Sequence, residues 1–175
     1  MPRVAEWDRL IENLIYELPG AWLKRIHGHR SLSQQQCRLA FPFVQLESID
    51  WFGNRAGSLN SILTEVLNQA GKYKYKRDEG QFAPHIRWIM KKGGSPEISH
   101  LRVALNVHLT VFKMLITRAN AEQALLVAAE CDNCEAAHLA LRGGATNSQA
   151  IYSAIQAAQV FGHRKVVQTP EECQQ

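Results

Sequence analysis

Three clusters in this 175-residue chain hold side chains able to do chemistry. The first is Cys131-x-x-Cys134-x-x-x-His138. Spacings of three and four align on one helix face, so two thiolates and an imidazole could meet one zinc ion. A fourth ligand would have to come from His163, Cys173 or elsewhere. One Cys pair with one His lacks the second pair that makes a zinc motif strong, and the same residues suit a helix–helix turn. No metal and no cofactor are therefore expected. The second cluster is His27-x-His29, set among Lys24, Arg25 and Arg30. Two histidines around a glycine in a basic loop read first as solvated surface. The third is Lys72-Tyr73-Lys74-Tyr75-Lys76-Arg77. Basic residues interleaved with tyrosines can grip phosphates and stack bases. They can equally meet an acidic protein surface. Asp78-Glu79 follows at once and partly neutralises the strip, which makes a solvated loop the plainer reading.

Of the four tryptophans, Trp7, Trp22 and Trp88 read as core by spacing. Trp51, beside Phe52 in a turn-rich stretch, also reads first as core, but it is the one of the four best placed to be an exposed anchor, since tryptophan is over-represented at binding hot spots, and Trp51 with Phe52 is the candidate partner-binding pair. No phosphate-binding glycine loop, nucleophile elbow or His-Glu-x-x-His is present, and Cys37 has no nucleophile context.

The elements that must position these residues read as helices almost throughout. Val4, Trp7, Leu10, Ile11, Leu14, Ile15 and Leu18 form one apolar stripe, closed by Pro19-Gly20. Ser31 to Phe41 reads as a short helix capped by Ser31 or Ser33 and stopped by Pro42. Residues 41–52 are aromatic and β-branched, which admits a strand or an extended connector. Leu59, Ile62, Leu63, Val66, Leu67 and Ala70 make a second amphipathic helix, with Ser58 at its start and Gly71 at its end. Pro84 opens a helix stopped by Gly93-Gly94, and Ser95-Pro96-Glu97 opens the next. Further helices are expected over 101–107, 111–116, 121–130, 133–142 and 148–160, with a short piece at 163–167 and a polar tail over 169–175.

Residues 124–145 run Ala-Leu-Leu-Val-Ala-Ala-Glu-Cys-Asp-Asn-Cys-Glu-Ala-Ala-His-Leu-Ala-Leu-Arg-Gly-Gly-Ala. Small residues on one helix let its neighbour approach, and glycine after the second supplies a left-handed cap. This stretch resembles the helix–turn–helix core of an ankyrin repeat. Ala128-Ala129 stands for the small pair of the first helix, Asp132-Asn133 for the turn, and Leu139, Ala140 and Gly144-Ala145 for the end of the second. Ala154, Ala157-Ala158 and Gly162-His163 suggest a second copy, and Val103-Ala104-Leu105 with Phe112, Leu115 and Ile116 a fainter earlier one. Ile86, Ile89, Met90 and Gly93-Gly94 match the second helix of another unit. The Thr-Pro-Leu-His start of a repeat is absent, and the spacing is shorter than the family's roughly 33 residues.

The resemblance implies a protein-binding surface on the repeats, bordered by the turn residues Asn106, His108, Asp132 and Asn133. The expected architecture is all-α. An unrecognised helical region over 1–80 precedes stacked ankyrin-like helix pairs over 81–168. The expected activity is binding of a partner protein through the repeats and the 41–77 region. A host-directed effector or inhibitor is one form of this. The alternatives are a nucleic-acid binder using Lys72–Arg77 with Lys91 and Lys92, and a small enzyme with a site between the halves using Cys37 or a His. The composition suits a soluble fold: 46% hydrophobic, 21% charged and a net charge of +4. No run of about 20 apolar residues is present for a membrane helix. Met1–Leu18 is amphipathic with early acids, unlike a secretory leader. Four cysteines in a chain this long suit a reducing, cytoplasmic compartment, or a host cytoplasm for a secreted effector.

Overall fold

The structure is a computed structural model that describes residues 32–72, 82–163 and 166. The expected helix over 4–18, His27-x-His29, Tyr73–Arg77, Cys173 and the polar tail lie outside the described residues. Among the described residues the fold is all-α, with nine α-helices packed on one another and no strand. The chain divides into two compact units, Met1–Ser95 and Pro96–Gln175.

The first unit opens with α1 (Gln34–Ala40). Ser33 caps it: its hydroxyl accepts from the Gln36 N–H, and the Gln36 side chain accepts from the Ser33 N–H at 3.0 Å. This reciprocal box satisfies two donors that a helix start leaves open. Where the sequence admits a strand, the chain instead makes 3₁₀ turns at Phe41–Phe43 and Leu46–Ser48 and then α2 (Ile49–Gly53). Pro42 fits the opening of the first turn. Packing overrides β-propensity here, since Phe41, Val44, Ile49 and Phe52 are all buried against the helices around them. Helix α3 (Leu59–Lys72) starts at Ser58, whose hydroxyl accepts from the Ser61 N–H at 3.2 Å. It runs one residue past Gly71 and buries Ile62, Leu63, Val66, Leu67 and Ala70. Helix α4 (Ala83–Lys91) carries Pro84 in its first turn. The sequence groups it with the repeats. In the structure it belongs to the first unit, because Ile86 and Ile89 bury against that unit's core and His85 Nε2–H donates to the Val44 carbonyl at 3.0 Å.

The second unit is a stack of helix pairs. Helix α5 (Ile98–Val107) starts at Glu97 rather than Ser95, where the His100 ring nitrogen accepts from the Glu97 N–H at 3.0 Å. It pairs with α6 (Leu109–Leu115), and α7 (Ala121–Glu130) pairs with α8 (Cys134–Arg142). Helix α9 (Ser148–Val160) follows. Helices α5, α7 and α9 are successive neighbours in one row, with α6 and α8 adjacent in a second. Helix α7 is the keystone. Ala121, Ala124, Ala128 and Ala129 are fully buried, and these short side chains let α5, α8 and α9 all close on one helix. On α8 the buried residues are Ala136, Ala137 and Ala140, while Leu139 stays half-buried, so the alanines make the closest contacts there too.

The turns repeat one solution. At the end of α7, Asp132 takes φ 52°, the Asn133 N–H reaches the Ala128 carbonyl at 3.0 Å, and the Asp132 N–H reaches Ala129 at 3.5 Å. The same pair of bonds closes α8 at Gly144 and α9 at Gly162, both with positive φ. This closure satisfies carbonyls a helix end would leave bare.

Candidate interaction surface

In the first unit, two aromatic–cation pairs stand out, one on α2 and the turn after it and the other on α4 and its C-terminal cap. Trp51 is half-buried, and its ring meets Phe52 edge-on with centroids 4.7 Å apart. Four residues on, Arg55 lays its guanidinium over the indole, with Cζ 4.4 Å from the ring centroid. Arg55 Nη1 also donates to the Trp51 carbonyl at 3.1 Å. The guanidinium is thus held from two sides by one residue. The stacking is a cation–π contact, and the hydrogen bond fixes the fork's orientation.

The second pair is Trp88 and Lys92, with the ammonium 5.4 Å from the ring centroid. Trp88 Nε1–H donates to Asp50 Oδ1 at 2.8 Å, and Lys92 Nζ lies 3.4 Å from the same oxygen. The indole hydrogen bond, then Lys92 and Lys91, hold the Asp50 carboxyl below the usual carboxylate range, outweighing partial desolvation. The Trp88 ring lies so close over Gly53 that a Cβ there would overlap it, with two ring carbons 2.7 Å away. The Phe41 ring tilts against the Trp88 ring, with centroids 5.3 Å apart.

Of the sequence candidates in this region, Trp51 is half-buried. Phe52 is in the core: its side chain is 0% exposed. Neighbouring helix residues point about 100° apart, so the residue beside a half-buried tryptophan can turn fully into the core. Lys72 is exposed at the end of α3, and Tyr73, Lys74, Tyr75, Lys76 and Arg77 lie outside the described residues. Arg55 and Asp50 were not picked out by the sequence reading. The i, i+4 spacing of Trp51 and Arg55 is the signal that could have found the first. Nothing local marks the second, whose partners lie 38 residues or more away.

In the second unit the turn candidates turn out to serve the backbone. His108 Nδ1 accepts from the Thr110 N–H at 3.1 Å and caps α6. Asn133 Oδ1 accepts from the Ala136 N–H at 2.9 Å and caps α8. Asp132 provides the left-handed turn residue, and Asn106 is exposed on α5. Beside this turn, Arg102 donates to Glu130 Oε2 at 3.1 Å through Nε and 2.6 Å through Nη2, and His163 Nε2–H donates to the Glu130 carbonyl at 3.1 Å. These contacts tie α5, α7 and the end of α9 together.

Among the described residues, no three His, Cys, Asp or Glu side chains come together as metal ligands, and Cys131, Cys134 and His138 form no such group. Burial raises the Cys131 thiol, and Glu130 raises it further against the pull of Arg102. Cys37 is fully buried, and burial raises its thiol despite nearby Arg55. A thiol in that state is the opposite of an activated nucleophile.

Charge is divided unevenly between the units. Met1–Ser95 holds fourteen Lys and Arg against nine Asp and Glu, whereas Pro96–Gln175 holds six against seven. No helix among the described residues is long and apolar enough to cross a membrane. Comparison with protein-family models, with curated proteins and with solved structures finds no match to this chain.

Proposed function

We propose that this chain is a protein-binding module, with an ankyrin-like stack of helix pairs in its second unit and its principal contact surface on α2 of its first. The observation that carries this reading is the exposed Arg55 held by both the ring and the carbonyl of Trp51. Tryptophan and arginine are the residue types most enriched where binding energy concentrates. Both lose less freedom on binding when already held in place. The three described cysteines are free, which suits a reducing compartment.

The test is capture from nuclease-treated lysate with full-length wild type and with Trp51→Ala as baits. The reading expects a discrete protein retained by wild type and lost by the variant. Equal retention by both baits, or retention of nothing once nucleic acid is digested, overturns it. The melting midpoint of Trp51→Ala serves as the check that the variant is folded.

A further inference from the structure

We infer that the partner presents an acidic segment, and that one of its carboxylates takes the open edge of the Arg55 guanidinium. This rests on the reading of the α2 face as a protein-binding surface. A guanidinium carries five N–H donors in a planar fork. Arg55 commits Nη1 to the Trp51 carbonyl and one face to the Trp51 ring. No carboxylate pairs with it among the described residues. Its neighbour in kind, Lys92, is by contrast already engaged by Asp50 at 3.4 Å. The face therefore offers a fixed cation with donors to spare, whereas the charge of Lys92 is partly met. A planar carboxylate can take two parallel donors of the fork at once. The positive balance of 1–95 favours an acidic approach.

The same geometry argues for a protein over single-stranded nucleic acid. Base stacking needs an open indole face. Trp51 has Arg55 over its ring and Phe52 at its edge. Trp88 lies on Gly53, with Lys92 and Phe41 about it.

The experiment titrates the full-length protein into three labelled probes of equal length: a peptide alternating Glu and Ser, its Gln and Ser counterpart, and an oligothymidylate. The Glu peptide is expected to bind and the Gln peptide not. Arg55→Ala should weaken Glu-peptide binding by about tenfold or more, the scale of a charged hydrogen bond. Arg55→Lys should weaken it too, because an ammonium cannot present the fork. Lys113→Ala, in the second unit, should leave it unchanged. Arg55→Lys keeps the positive charge, so it answers the question should Arg55→Ala fail to fold. Equal binding of the Glu and Gln peptides, full affinity in Arg55→Lys, or tighter binding of the oligothymidylate each overturns the inference. If Trp51→Ala still loses the captured protein while no Glu peptide binds, the acidic segment is wrong and the protein-binding surface stands. If the captured protein ignores Trp51→Ala, the surface itself is wrong.

Discussion

Gly53 shows how one missing atom shapes the candidate surface. Alanine is ordinarily better than glycine in a helix by up to about 1 kcal/mol. Here its methyl would enter the Trp88 ring, which Phe41 and Asp50 hold in place. Overpacking costs about 1–3 kcal/mol, so the clash wins. Gly53→Ala is expected to lower stability and to displace the Trp88 indole N–H resonance; a more stable variant with that resonance unmoved would refute this account. Asp50 gives a pH signature. Its folded-state carboxyl is lowered, so the folded state binds fewer protons, and the resulting stability is present above the unfolded value near pH 4 and lost as pH falls through the folded one. Asp50→Asn keeps an oxygen for Trp88 but drops the charge. Urea midpoints should show wild type ahead of Asp50→Asn at neutral pH and the gap closing below about pH 4. A gap constant with pH would exclude the charge as its source. Of these residues only Trp51 stands out in the sequence, as a tryptophan among turn residues, and that signal does not separate core from surface; the structure leaves it half-buried. The burial of Phe52 is not legible, because 41–52 does not read as helix and only the turn of α2 points Phe52 away from Trp51 into the core. The Asp50–Trp88 bond joins two segments that no local pattern connects.

At the scale of elements, the helices with clear periodicity and polar caps were readable: α3, α4, α7, α8 and α9 appear close to the expected positions. The 41–52 stretch was not, because its aromatic and β-branched residues serve burial in short turns, and composition alone does not separate that from a strand. The turn between α7 and α8 gives the test at this scale. Asp132 holds a left-handed conformation at φ 52°, which costs a residue with a Cβ about 1–2 kcal/mol unless its side chain helps locally. Asp132→Gly should therefore be neutral or stabilising by up to about 1 kcal/mol, even though the distant contact with His163, at 3.9 Å, is lost. Asn133→Ala removes the α8 cap and should cost about 1 kcal/mol. Thermal melts of the two variants shifting in opposite directions would bear this out; shifts of the same sign and size would show that the turn is not what holds the pair.

For the whole molecule, the division after Ser95 predicts two cooperative units. Native-state hydrogen exchange should show two protection classes that change at Ser95-Pro96 and not near residue 80. A single uniform class across both would refute the division. The helix-pair stack was legible from alanine placement and turn residues, whereas the assignment of α4 to the first unit depends on contacts with α3 and Val44 that its own sequence does not reveal. The hold of Trp51 on Arg55 has a consequence in time rather than in energy. If the proposed partner binds at α2, a guanidinium already in position need not search rotamers after contact, so its share of the bond falls on how long that complex lasts, while the diffuse positive charge of 1–95 governs how often it forms. Added salt should then slow association with little change in residence, and Arg55→Ala should shorten residence with little change in association.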